Sequence, residues 1–323
     1  MRPGWTCARD GRWKMPEFYH WSGDEFQRVQ MLLDALGLET GSLQIKCPAA
    51  EIAECGSEMD GKRPCRVISI VGAGGKTSTM FQLAKEYAGM GKRVIVTTST
   101  HIFRPDGYEV VLKDQPEWLE RLMEFTEKPG GNILVTAAEE MDWKKGKNDN
   151  FPCDKAKKKL KGMEPHEIGR LLNYCDVLLI EADGSKGLPV KVPAEHEPVI
   201  IPETQVVIGC AGLTAIGEMI QEVCFRSEFL ERIRKDGKVT EQLLAEILCS
   251  ESGTRKNVGK RAYRILLNQL DGSREKGAAE QTAKWIDQWS QKNGKENVTI
   301  AASCFCILRI KNDGCTGNVK CNW

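Results

Sequence analysis

Residues 67–79 constrain this chain more than any other stretch, because strand, glycine turn and helix follow one another without a gap. Val67, Ile68, Ile70 and Val71 are the β-branched apolar residues of a buried parallel strand. Gly72, Gly74 and Gly75 then let backbone N–H groups approach an anion without Cβ obstruction. Lys76 has the reach and charge for terminal phosphates, and the hydroxyl of Thr77 suits a Mg²⁺ ion held against them. Met80, Leu83, Ala84 and Tyr87 recur at helical spacing, which sets the turn at a helix N-terminus. Gly72, Ala73, Gly74, Gly75, Lys76, Thr77 and Ser78 are the expected phosphate-binding residues. Lys76 is expected to be exposed, giving its charge to the ligand and little to the core.

The spacing differs from G-x-x-x-x-G-K-[ST], since Ile70 stands where the first glycine would be. What remains, G-x-x-G-K-T, is closer to the short loop of Mur-type ligases. A Gly-rich turn with no ligand is the plain alternative, and the flanking strand and helix argue against it.

From Val67 onward, strands are expected at 67–71, 94–98, 132–137, 176–182, 205–209, 263–267 and 298–303, with helices between them. Such alternation implies an α/β fold with a mostly parallel sheet and helices on both faces. Residues 1–25 read as an irregular N-terminal extension, in which Trp5, Trp13, His20 and Trp21 receive no chemical role. Phe26 to Leu38 read as a helical segment closing at Gly37, and 46–65, with Cys47, Cys55 and Cys65, as an inserted loop. The nucleotide-binding domain then spans 26–310, and 311–323 is a tail.

Chemistry in a parallel sheet collects at the carboxyl ends of its strands. The run Val177–Ile180 delivers Glu181 and Asp183, the Walker B arrangement of a carboxylate set opposite a phosphate turn. Thr77, Asp183 and Glu181 are therefore the candidate Mg²⁺ ligands; a polar turn after a buried strand would look the same. Lys186, just beyond, could neutralise phosphate charge or be solvated. His101 and Arg104 follow the second strand. His196 sits between Glu195 and Glu197 in a proline-punctuated segment, where a metal ligand, a general base and a surface imidazole all remain open. The candidate catalytic set is thus Lys76, Asp183, Glu181, Lys186, His101 and His196.

Asn268-Gln269-Leu270-Asp271 ends a strand with N-Q-x-D, similar to the N-K-x-D signal by which GTPases read guanine. Asp271 would accept from the ring N–H groups while Asn268 buttresses the loop. Gln269 replaces the stacking lysine, so either GTP or ATP fits the reading. Asn and Asp at such junctions also serve plain turn chemistry.

A net charge of +1 gives no global cause for binding nucleic acid or an anionic membrane. No apolar run reaches the length of a spanning helix, and the first residues lack a secretion signal. Thirteen cysteines without a C-x-x-C pair argue against a disulfide framework or zinc knuckle, so a reducing cytosol is expected. The lysines at 144, 145, 147, 155, 157, 158, 159 and 161 read as a solvated run; a docking patch for an acidic partner or a phosphorylated pterin is the alternative.

Taken jointly, I-V-G-A-G-G-K-T (70–77), T-T-S-T-H-I-F (97–103), K-L-K-G-M (159–163), I-E-A-D-G-S-K-G-L-P (180–189), A-E-H-E-P-V-I (194–200) and L-L-N-Q-L-D (266–271) resemble the selenium-dependent hydroxylase accessory protein family of the YqeC type. The resemblance covers roughly residues 26–310 and implies a P-loop NTPase-like, three-layer α/β protein. It implies a purine nucleotide with Mg²⁺, used in maturing a selenium-dependent molybdenum hydroxylase, whose enzyme or cofactor machinery is the partner. Nucleotide hydrolysis is the first expectation; a nucleotide-gated chaperone or cofactor carrier and a Mur-like ATP-dependent ligase are the alternatives. The family's V-H-R-P-E segment appears here as Val223-Cys-Phe225-Arg226-Ser227-Glu228, which loses the histidine and proline, so no catalytic histidine stands at 225, and keeps Arg226 as a candidate phosphate or partner contact.

Overall fold

A computed structural model describes residues 6–7, 13–38, 65–143, 157–230, 237–270, 272–294 and 298–305. Cys47, Cys55, the lysines between 144 and 155, Asp271 and the tail 311–323 lie outside the described residues. At the N-terminal end are the ribbon β1 (Thr6–Cys7) and β2 (Trp13–Lys14), the hairpin β3 (Glu17–Trp21) and β4 (Phe26–Val29), and the short helix α1 (Leu32–Ala35). Then come β5 (Arg66–Gly72), α2 (Lys76–Gly89), β6 (Val94–Thr98), β7 (His101–Phe103), β8 (Glu109–Leu112), α3 (Trp118–Glu127) and β9 (Ile133–Ala137). β10 (Glu140–Trp143), β11 (Lys157–Lys161), α4 (Pro165–Arg170), β12 (Val177–Glu181), β13 (Val190–Lys191) and β14 (Val206–Gly212) follow. The chain continues through α5 (Ile220–Val223), β15 (Cys224–Phe225), α6 (Glu241–Cys249), β16 (Ala262–Asn268), α7 (Ser273–Lys292) and β17 (Thr299–Cys304).

The main sheet has ten strands in the order β4-β3-β17-β16-β14-β5-β12-β6-β9-β8. Every pairing from β17 to β8 is parallel, and β3 and β4 add an antiparallel edge. β5 lies between β12 and β14, so the chain leaves it toward one side through α2 and β6 and later returns to the other. Crevices at such reversals, beyond the carboxyl ends of strands, are where parallel sheets place ligands.

Alternation along β5 divides the core. Ile68 and Ile70 face Met80, Leu83, Ala84 and Tyr87 of α2, together with Leu32 and Leu33. On the opposite face Val67 packs with Trp118, Leu122 and Phe125 of α3, and Val71 with Leu244 and Ile247 of α6 and Ile286 of α7. Burying each large apolar side chain contributes about 1.5–3 kcal/mol, so helices are held on both faces and the architecture has three layers.

Three expectations need correction. Residues 17–21 are an ordered strand, not irregular chain: β3 pairs with β17, matching His20 with Ala301 and Phe18 with Ser303. Phe26–Leu38 is not one helix; it is β4 followed by a helix of four residues. The Leu32 and Leu33 amides at the start of α1 donate to the Glu86 carboxylate of α2 at 2.9 and 2.8 Å, which docks the buried run Leu32–Leu38 on that helix. The lysine run is also partly structured. Lys157–Lys161 is the middle strand of a small sheet, β10-β11-β7, with Leu160 buried and the Lys159 ammonium 4.9 Å from the Phe103 ring centre.

Candidate functional site

The carboxyl ends of β5 and β12 bring Lys76, Thr77, Glu181 and Asp183 together. Glu181 is the last residue of β12 and registers against Ile70. Its Oε2 accepts from the Thr77 hydroxyl at 2.7 Å, and its Oε1 lies 3.8 Å from the Lys76 ammonium. Asp183 lies two residues further on. Its Oδ1 is 3.3 Å from Lys76, and its Oδ2 accepts from the Gly72 amide at 2.9 Å.

Lys76 is not the exposed lysine that its motif suggests. It is 3 % exposed and donates to the Gly72 carbonyl at 2.8 Å while facing both carboxylates. Burial alone would lower its pKa, but Asp183 and Glu181 outweigh burial and raise it, so the ammonium stays charged. Burial raises the pKa of Glu181 despite Lys76 and the Thr77 hydrogen bond.

The turn itself is tightly held. Ala73 N–H donates to Cys210 O at 2.9 Å and Gly74 N–H to Leu188 O at 3.1 Å, so with Gly72 three turn amides point into the protein. Gly74 has φ +67°, and a Cβ there would lie 2.3 Å from Gly212 N. The first bond back along α2 is Thr79 N–H to Gly75 O at 3.0 Å. The amides of Lys76, Thr77 and Ser78 therefore precede any intrahelical partner and form the helix end offered to an anion.

Asn268, at the end of β16, is buried and holds this helix from the side. Its Nδ2 donates to Thr79 Oγ1 at 3.3 Å, and the Ser303 hydroxyl of β17 donates to its Oδ1. A Cβ at Gly75 would come 2.9 Å from Asn268 Nδ2, so the two segments touch. Gln269, with φ +66°, turns its side chain to the Thr214 hydroxyl.

Sequence reasoning gave no role to a second ionic layer behind Asp183. Lys191 of β13, 1 % exposed, lies 3.3 Å from Asp183 Oδ2 and 2.7 Å from Glu197 Oε2, and it donates to Gly184 O at 2.7 Å. Arg226 pairs with the same Glu197 oxygen. Burial pushes Glu197 up, but Lys191, the Ala194 amide and Arg226 outweigh burial and hold its pKa below the usual carboxylate value. Charges thus alternate from Arg226 through Glu197, Lys191 and Asp183 to Lys76 and Glu181. The signals in the sequence were Lys191 and Glu197 within a proline-punctuated segment, and the Arg226 kept from the V-H-R-P-E pattern.

Other candidates lie apart from this cluster. His101 is exposed on β7, opposite Lys161; burial, Lys159 and Lys161 lower its pKa. Arg104 pairs with Glu140. His196 is exposed, while its neighbour Glu197 carries the buried contacts. Lys186 is exposed, with φ +50° and its ammonium 5.3 Å from the Phe225 ring centre. Among the described residues no group of three or more His, Cys, Asp or Glu forms a self-sufficient metal cage. No helix of those residues is long and apolar enough to cross a membrane.

A mostly parallel sheet between two helical layers, with a strand–glycine turn–helix beside an acidic strand end, is the architecture of a P-loop NTPase-like, three-layer α/β protein. More narrowly, the chain belongs to the YqeC family. The profile of that family, described as YqeC protein, matches residues 68–228, from β5 past Arg226. The uncharacterized protein YqeC of Escherichia coli (strain K12) is 34% identical over 226 residues, covering 68% of this chain and 79% of that relative.

Proposed function

We propose that the chain binds a purine nucleoside triphosphate with Mg²⁺ on the 72–78 turn and uses it as an accessory factor in maturing a selenium-dependent molybdenum hydroxylase. The observation that carries the nucleotide part is the joint placement of Lys76, the Thr77 hydroxyl and the Glu181 carboxylate at the open end of α2. The accessory part rests on the family alone.

The donor set suits Mg²⁺. Thr77 Oγ1 and Glu181 Oε2 are hard oxygens already 2.7 Å apart, and this ion takes few protein carboxylates and completes its shell with phosphate and water. Among the described residues, the buried Asp183 Oδ1 has the Lys76 ion pair at 3.3 Å and no hydrogen bond, which leaves it an acceptor for a water. Mg²⁺ would supply charge neutralisation between the terminal phosphates. The residues divide the remaining work. Thr77 and Glu181 hold the metal side, and the first-turn amides with Lys76 hold phosphate oxygens. Asp183 fixes the turn through Gly72, and Asn268 braces the helix toward the base.

Calorimetric titration of Mg–GTP and Mg–ATP tests the site. Saturable binding should weaken in Thr77→Ala and in Ser78→Asp, whose carboxylate faces the same open amides. Steady phosphate release without a partner supports hydrolysis. A single turnover that stops until a partner is added supports the nucleotide-gated carrier.

A further inference from the structure

The rim of the site holds a second concentration of positive charge that the phosphate turn does not use. β13 pairs with β15, setting Lys191 in register with Phe225. Around the half-buried Phe225 ring lie Arg226 Cζ at 4.7 Å, Lys186 Nζ at 5.3 Å and Lys191 Nζ at 5.8 Å. Lys186 and Arg226 both have left-handed backbones, φ +50° and +62°. Side chains other than glycine hold that conformation only under strain, and such strain persists where the surroundings fix it. Here it turns two cations toward one ring.

Lys76, Lys191 and Arg226 are matched by Glu181, Asp183 and Glu197, and Lys186 adds a fourth cation beside the Phe225 ring. Among the described residues Lys186 has no carboxylate partner. Arg226 spends Nη1 on Glu197, its side chain is 22% exposed, and its remaining donors are not enclosed. A guanidinium with a free fork edge, beside an unpaired ammonium and above an apolar ring, takes a two-oxygen anion better than a single halide.

We propose that Lys186, Arg226 and Phe225 form a second ligand site for an oxyanion, a carboxylate or phosphate group on a molecule distinct from the nucleotide. Lys191 and Glu197 are its floor and join it through Asp183 to Lys76. That this oxyanion belongs to the second substrate rests on the nucleotide reading above; its binding at Arg226 does not.

The test is residue-resolved arginine modification of the full chain by phenylglyoxal, with peptide mapping, in the presence of inorganic phosphate or, separately, succinate. At two-thirds occupancy the Arg226 rate should fall about threefold. Protection should persist in Ser78→Asp, which blocks the phosphate turn, and vanish in Lys186→Met, where an exposed side chain is exchanged. Protection by phosphate alone assigns a phosphate group, by succinate alone a carboxylate, and by both an undiscriminating oxyanion site. No protection by either anion, protection that disappears in Ser78→Asp, or protection unchanged in Lys186→Met overturns the proposal. Nucleotide titration of the same three proteins reports separately on the first site.

Discussion

Replacing Lys191 by methionine keeps the aliphatic stem and removes the ammonium, which isolates the ionic layer behind the 72–78 turn. The ammonium serves three acceptors: Asp183 Oδ2 at 3.3 Å, Glu197 Oε2 at 2.7 Å and Gly184 O at 2.7 Å. The side chains of the two carboxylates are 2% and 8% exposed, so water cannot replace the lost partner. Breaking one member out of a buried ion pair costs about 3–5 kcal/mol, because a charge stays behind uncompensated. Lys76 still faces Asp183 and Arg226 still faces Glu197, so the lower half of that range, about 3–4 kcal/mol at neutral pH, is expected. The sign with pH follows from Glu197. Its native pKa is lowered, so its carboxylate adds stability above the unfolded value and that contribution is lost as pH falls through the native one. Without Lys191 its pKa is higher than in wild type, so the variant loses less than wild type on acidification. Urea unfolding at about pH 7 and about pH 5 should show a deficit that narrows at the lower pH. Adding Glu197→Gln should recover part of the loss. A cost below about 1 kcal/mol, or a deficit equal at both pH values, would refute the claim that Lys191 is held by buried charge.

Gly74→Ala must accommodate a Cβ 2.3 Å from Gly212 N at φ +67°, and thermal unfolding should show a loss above about 3 kcal/mol; a near-wild-type transition contradicts the tight turn. Glu181→Gln should remove the Mg²⁺ dependence of nucleotide binding, whereas Asp183→Asn should weaken binding with or without Mg²⁺, because it loosens Gly72 and Lys76; titrations with and without EDTA separate the two, and identical behaviour would undo the division of roles. If Asn268 and Asp271 read guanine, GTP should outcompete ATP and Asp271→Asn should shift preference toward xanthine nucleotides, since a mismatched base leaves polar groups unpaired. Equal competition by ATP and GTP, unchanged in the variant, would leave a generic purine site.

How far the sequence is legible depends on the range of the forces involved. β5, β6, β9, β12, β14, β16 and β17 fall on largely apolar runs, because a strand buried on both faces carries few polar side chains. Helix α2 is equally plain from Met80, Leu83, Ala84 and Tyr87. The β3–β4 edge is not legible, since its order depends on pairing with β17, far along the chain, and Phe18, Trp21 and Phe26 show no sustained alternation. Lys76 reads as exposed because the carboxylates that bury it come from a different strand. His196 attracts notice as an imidazole, yet the adjacent Glu197 does the structural work, because folding brings Lys191 and Arg226 to it. Local pattern gives the elements; buried charge becomes visible only when the segments carrying it meet.

The most direct measurement is the affinity of the full chain for Mg–GTP and Mg–ATP, compared across wild type, Thr77→Ala and Ser78→Asp, each with and without Mg²⁺. Saturable binding of a nucleotide to the wild type, weakened by Mg²⁺ removal and by Thr77→Ala and abolished by Ser78→Asp, is the predicted result. Absence of saturable binding for both nucleotides, or binding indifferent to Mg²⁺ and to both substitutions, would contradict the assignment of the 72–78 turn as a nucleotide site.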